Sequence, residues 1–126
     1  MEENKLSYQI IAAAIEVHKT LGGPGLLEAV YEEALVYELD CRGLDVVRQK
    51  LIPIDYKGVT LATPLRVDIL VNELVIVECK SVLDHNPIFE TQLLTYLRLT
   101  NLRLGLVINF GTKYVKSGIK RVVNGL

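Results

Sequence analysis

A chain of 126 residues, half of them hydrophobic, is long enough for one domain with a real core and too short for a second. Its formal net charge of −1 and its pI near 6.1 argue against gripping nucleic acid by bulk charge, so any such binding needs a local basic patch. The charged start, Met1-Glu-Glu-Asn-Lys5, and the absence of an apolar run of about 18 residues leave no membrane span, so a soluble, cytoplasmic protein is expected.

In chain order, Ser7 is the expected N-cap of a helix over about Tyr8 to Leu21, with Ile11, Ala14, Ile15 and His18 at helical spacing. His18 reads as a packed residue rather than a ligand. Gly22-Gly-Pro-Gly25 ends that helix, and a second runs from about Leu26 to Arg42, stopped by Gly43 at C′. Glu28 and Tyr31 share a face of it, so one turn could present a carboxylate and a phenol together; a first-turn acid favoured by the helix dipole accounts equally for Glu28. Val46 to Tyr56 reads as a strand in which Pro53 marks an edge or a bulge. Lys57-Gly58 turns the chain, and Thr60 to Val71 and Leu74 to Ser81 complete an antiparallel meander. A third helix starts at Asn86 and Pro87 and runs to about Thr100, carrying Gln92 and Tyr96 four apart beside the core residues Leu93, Leu94 and Leu97. Leu104 to Phe110 is a buried strand, and Lys113 to Leu126 a polar tail ending in a strand or short helix. The cysteines, Cys41 and Cys79, lack metal-ligand spacing and are expected as buried free thiols.

The stretch Arg66 to Lys80 concentrates three charges, Asp68, Glu78 and Lys80, in otherwise apolar strands, where an ion is rarely buried without a partner or a metal. Glu78 and Lys80 share one strand face and Cys79 takes the other. A two-residue loop at Asn72-Glu73 would set Asp68 opposite Val77. A three-residue loop, or an equivalent bulge, sets Asp68 opposite Glu78 and gathers Val67, Ile69, Val71, Val75, Val77 and Cys79 on one apolar face. The absence of a glycine at Asn72-Glu73 favours the odd loop. Two adjacent carboxylates are held ionised by a hard divalent cation, and a nearby lysine can then stabilise developing negative charge. An ion pair of Lys80 with either acid on a half-exposed strand is the simpler alternative.

The order of helix, three-strand antiparallel meander, helix and further strand resembles the α/β (α+β) restriction-endonuclease-like core of the PD-(D/E)XK nuclease superfamily. Within it the chain resembles the GxxExxY family, whose motif reads here Gly25-Leu-Leu-Glu28-Ala-Val-Tyr31. His18-Lys-Thr-Leu-Gly22, Val67-Asp68, Val77-Glu-Cys-Lys80, Gln92-Leu-Leu-Thr-Tyr96 and Gly105-Leu-Val-Ile-Asn-Phe-Gly111 extend the likeness over nearly all of residues 1–126. The resemblance implies a metal-dependent nuclease acting on DNA, with Mg²⁺ or Mn²⁺ held by Asp68, Glu78 and the backbone carbonyl of Cys79. It implies further that Lys80 positions the nucleophile and that Glu28 approaches from the second helix as a further catalytic acid or ligand. Gln92 and Tyr96 look like the Q-x-x-x-Y element of RecB-like nucleases and should line the same cleft as Glu78, the alternative being a polar stripe facing solvent. Phe89 stands where relatives would carry a histidine. Backbone contacts could come from Arg98, Arg103, Lys113, Lys116, Lys120 and Arg121, which could equally be a solvated face. The competing function is a non-enzymatic domain that uses the nuclease fold to bind protein or nucleic acid. The mean hydropathy of +0.30 in so short a chain suggests a homodimer, which light scattering would detect.

Overall fold

The computed structural model describes residues 2–126. Two helices, α1 (Glu2–Thr20) and α2 (Glu28–Cys41), precede strand β1 (Val46–Ile52), a short ribbon of β2 (Asp55–Tyr56) and β3 (Val59–Thr60), and strands β4 (Leu65–Val71) and β5 (Val75–Lys80). Helix α3 (Ile88–Thr100) leads to β6 (Leu104–Asn109), and a 3-10 turn (Val115–Gly118) leads to β7 (Ile119–Val123). The five long strands lie in the order β1-β4-β5-β6-β7, antiparallel except for the parallel pair β5 and β6, which α3 connects. No described helix is long and apolar enough to cross a membrane.

Both faces of the sheet are covered, which explains why β5 and β6 are apolar on both sides. On one face Leu6, Ile10, Ala13, Val17, Leu35 and Leu39 of α1 and α2 bury Ile69, Val71, Val75, Val77, Cys79 and Ile108. On the other, Leu93 and Leu97 of α3 bury Leu65, Val67, Leu70, Ile76 and Val107. Helix α3 can sit so close because Gly105 lies beneath Leu93, where a Cβ would stand 2.8 Å from its side chain.

Several elements depart from the expected boundaries. Helix α1 begins at Glu2, so Ser7 is not its N-cap; its hydroxyl lies inside the helix and donates back to the Asn4 carbonyl at 2.8 Å. The expected strand to Tyr56 breaks after Ile52 at Pro53, which cannot donate to a ladder, and the chain leaves the sheet as the β2–β3 ribbon. Lys57 and Gly58, both at positive φ, turn that ribbon. Cys41 is exposed at the end of α2 rather than buried, whereas Cys79 is buried; both are free thiols. Helix α3 starts one residue later than expected, with Pro87 at the N-cap, while Asn86 just before it accepts the Ile88 N–H through Oδ1 at 3.0 Å.

Candidate active site

The β4–β5 connection sets the register of the acidic residues. Asn72 and Glu73 both adopt positive φ, the Leu74 N–H bonds the Val71 carbonyl, and Val71 pairs with Val75, so Leu74 is the extra residue that makes the loop odd. Asn72 holds this unfavourable turn in place, because its N–H and Oδ1 bond the Asp45 carbonyl and N–H at 2.7 and 2.8 Å. The register continues through Leu70–Ile76 and Ile69–Val77, and the next residues outward are Asp68 and Glu78.

There the ladder opens and the side chains take its place. The Asp68 N–H donates to Glu78 Oε2 at 2.8 Å, and the Cys79 N–H donates to Asp68 Oδ2 at 2.9 Å. Each carboxyl is thus tied to the opposite strand by one oxygen. Beyond this point β4 rotates: Val67 packs with Leu65 and Leu70 under α3 and not, as the simple alternation implied, with Ile69 and Val71. The partner strand bends at the same level, where Gln49, between the paired residues Arg48 and Lys50, has φ +53. Such a conformation in a non-glycine residue stores strain that its surroundings must offset.

Burial dominates the electrostatics. Glu78, only 6% exposed, is pushed up to about 8, first by burial and then by the neighbouring Asp68 charge, against the opposing pull of the Asp68 N–H bond and Lys80. Burial also raises Asp68 despite its bond from Cys79, and raises Glu28 despite the attraction of Lys80. The Cys79 thiol, held well above its ordinary range by burial, stays protonated within the α1–α2 core and is not poised as a thiolate ligand. Its position leaves the backbone as the part of Cys79 that can serve a site on the acidic side.

Lys80 ends β5 with its ammonium 4.7 Å from the centroid of the Phe89 ring. Phe89 therefore supplies a cation–π platform for Lys80. Tyr96 is half-buried on α3, and burial, followed by the Glu78 and Asp68 charges, raises its phenol. Gln92 is exposed one turn earlier, and its side chain opposes that rise. Among the described residues no three His, Cys, Asp or Glu side chains converge closely enough to hold an ion, so Glu28 does not complete a three-carboxylate cage with Asp68 and Glu78. It approaches from the side, as the first residue of α2, near Lys80 and Ser81.

Tyr31 has a different task from the paired carboxylate and phenol read in the sequence. It is fully buried, stacked on Phe110 at 4.7 Å, and its hydroxyl donates to the Gly23 carbonyl at 2.6 Å while accepting the Leu26 N–H at 3.2 Å. Ser81 Oγ donates to the Leu26 carbonyl at 2.7 Å. The spacing Gly25-x-x-Glu28-x-x-Tyr31 thus has a physical logic. Gly25 turns the chain at φ +111, Tyr31 locks the loop from inside, and Glu28 is aimed at the end of β5. Tyr31→Phe, which keeps the stacked ring and removes both bonds, should lower stability by about 1–2 kcal/mol in urea unfolding; an unchanged midpoint would mean that the clamp contributes nothing.

Two parts of the site went unread in the sequence. Glu32, one turn after Glu28, is buried and accepts from Arg48 Nε at 2.6 Å and from Gln49 Nε2 at 2.9 and 3.1 Å. Its charge reaches Asp68, Glu78 and Glu28. The four-residue spacing of Glu28 and Glu32 was the available signal. Asn109, at the end of β6, bonds the Val82 N–H and carbonyl and the Gly111 N–H, fixing the segment after Lys80. Gly111 passes so near that a Cβ would lie 2.2 Å from the Val82 oxygen.

Among known proteins, the family model described as the PD-(D/E)XK nuclease superfamily matches residues 4–122. No curated protein and no solved structure matches the chain.

Proposed function

The chain belongs to the PD-(D/E)XK nuclease superfamily, and from that premise we propose that it is a divalent-metal-dependent phosphodiesterase of the GxxExxY type, acting on DNA. The observation that carries this reading is the reciprocal insertion of the Asp68 and Glu78 carboxyls between parted strands, with Lys80 one strand repeat further along. A structural ion pair would place Lys80 against a carboxylate. No salt bridge within 4.0 Å joins Lys80 to an acid among the described residues, and its ammonium stands over Phe89 instead.

The donor set suits a Mg²⁺-type ion: hard oxygens from Asp68 and Glu78, with the Cys79 carbonyl, the remaining places in the shell being ones that water and phosphate would take. Such an ion, when bound, supplies Lewis-acid polarisation of the phosphate and makes a water acidic. The chain's own residues do the rest. Asp68 and Glu78 would hold such an ion with the oxygens not committed to the opposite strand, Glu78 in its deprotonated form. Lys80, steadied by Phe89, places positive charge beside the oxygens on which negative charge grows in the transition state. Glu28, beside Lys80, would accept a proton from the attacking water, and Gln92 and Tyr96 on α3 would contact the nucleic-acid strand.

The direct test is cleavage of labelled single- and double-stranded DNA by the purified chain with Mg²⁺ or Mn²⁺. Cleavage that stops in EDTA is expected. Intact DNA of both forms under all these conditions would contradict the reading.

A further inference from the structure

Outside the acidic site, the basic residues fall into two groups. Arg42 and Arg48 pair with Glu38 and Glu32, Arg103 pairs with Glu3 at 2.9 Å, and Arg121 bonds Ser7 and Asn4 on α1. Two of the candidates for backbone contacts, Arg103 and Arg121, are thus engaged in holding α1 to the sheet edge. Lys19, Lys113 and Lys116 are exposed and form no salt bridge among the described residues. These three line one concavity of about 630 Å³ between the C-terminal end of α1 and the 113–116 segment. Ile15, His18, Gly22, Gly23, Tyr114 and Val115 complete its wall, and no carboxylate is among the lining residues. In a chain of net charge −1, three ammonium groups around one apolar hollow, none of them neutralised by a salt bridge among the described residues, form a local cationic site.

We propose that this hollow binds an unpaired nucleotide of the nucleic-acid strand whose scissile phosphate lies at Asp68 and Glu78. The inference rests on the nuclease reading and gives it a substrate form. Three observations favour a nucleotide over a bare anion. The Tyr114 ring is 66% exposed at the rim with the Lys113 ammonium 5.5 Å from its centroid, a paired aromatic and cation on which a base and its phosphate could both settle. Ile15 and Val115 give an apolar floor, which phosphate alone would not use. The hollow also lies at the same end of the sheet as Lys80 and the acidic site. The Phe110 N–H bonds the Lys80 carbonyl at 2.8 Å, and the Phe110 carbonyl meets His18 Nε2 at 3.1 Å, so one residue spans from the end of β5 to the hollow's wall. A paired base is covered by its neighbours and could not reach Tyr114, so single-stranded nucleic acid is the ligand form this hollow selects.

The test is fluorescence anisotropy of a labelled 12-nucleotide single-stranded DNA and its duplex, in EDTA, so that neither metal nor cleavage enters. Expected results are single strand bound more tightly than duplex, and affinity lowered about tenfold by Tyr114→Ala and by the pair Lys113→Ala and Lys116→Ala. The double lysine variant should also have a shallower dependence on salt, by about 1.4 in the log–log slope, as for two lost phosphate contacts on a single strand. Lys5→Ala, an exposed lysine near the opposite end of α1, controls for net charge and should change little. Wild-type binding that the pocket variants leave unaltered, or that duplex matches, would overturn the hollow while leaving the nuclease reading intact. No binding by the wild type would overturn it as well, and metal-dependent cleavage would then decide separately whether the acidic site is catalytic.

Discussion

Lys80→Ala should slow DNA cleavage by about 10²–10³ while leaving divalent-ion binding as strong as before or stronger, and Asp68→Asn should lose both. The two residues lie in one cluster but act on different charges. Asp68 provides an anionic oxygen tied by its partner oxygen to the Cys79 N–H, so the amide replacement keeps the shape and removes the charge that an ion requires. Outer partners of metal ligands alone are worth about 10–100-fold in affinity, and a direct ligand should be worth at least that. Lys80 is a cation beside the place where another cation would sit, so its removal relieves repulsion. Its loss should instead reduce the rate by about 10²–10³, the usual scale for one group that stabilises transition-state charge. Melting temperatures with and without Mn²⁺, read beside the cleavage assay, separate the two. Mn²⁺ should raise the melting point of wild type and Lys80→Ala and leave that of Asp68→Asn unchanged. If the cluster were only a structural ion network, both variants would melt lower and Mn²⁺ would shift none of the three.

Without metal, the protein should lose stability as pH rises from about 4.5 to about 8, and Glu78→Gln should remove most of that loss. Glu78 titrates near 8 in the folded chain, above its unfolded value. Between the two values the folded state therefore holds a proton that the unfolded state has released, and stability falls with increasing pH. The contribution is fully present below the unfolded value and gone above the folded one. Asp68 and Glu28 are displaced in the same direction and add to the slope. Each tenfold gain in proton affinity on folding is worth about 1.4 kcal/mol, so the effect amounts to a few kcal/mol, shared between Glu78 and the adjacent Asp68. Urea unfolding in EDTA at pH 5 and pH 8 measures it as the difference between wild type and Glu78→Gln, which cancels the titration of other carboxylates. The variant should gain on wild type at the higher pH; a difference independent of pH would mean that Glu78 ionises normally.

The pairing of Asp68 with Glu78 was legible because two local signals agreed: Asn72-Glu73 lacks a glycine, and only an odd loop puts both acids on one level. Even so, the alternation failed one residue away, at Val67, because β4 rotates where the two carboxyls displace the ladder. The strained Gln49 could not be read, since a glutamine adopts positive φ only when its surroundings hold it there, and Glu32, sixteen or more residues from its partners Arg48 and Gln49, supplies those surroundings. Tyr31 was misread for a similar reason. Helical spacing puts it near Glu28, but not between Gly23, Leu26 and Phe110, contacts that depend on the return of the loop and of β6. The β2–β3 excursion was half visible, with Pro53 marking the break and Lys57-Gly58 the turn, while its departure from the main sheet depended on which strand took the place beside β1.

If Asp68 and Glu78 form a cation site kept partly neutral by burial until the ion arrives, proton release on metal binding is its most direct signature. The measurement is calorimetric titration of Mn²⁺ into the wild-type chain at pH 7 in two buffers of different ionisation enthalpy. Because Glu78 holds its proton up to about 8 in the metal-free chain, binding should release close to one proton per ion, and the observed heat should differ between the buffers accordingly. Glu78→Gln should show weaker binding with no such release. Binding without proton release would contradict the burial-protonated Glu78, and no binding of Mn²⁺ at millimolar concentration would contradict the site itself.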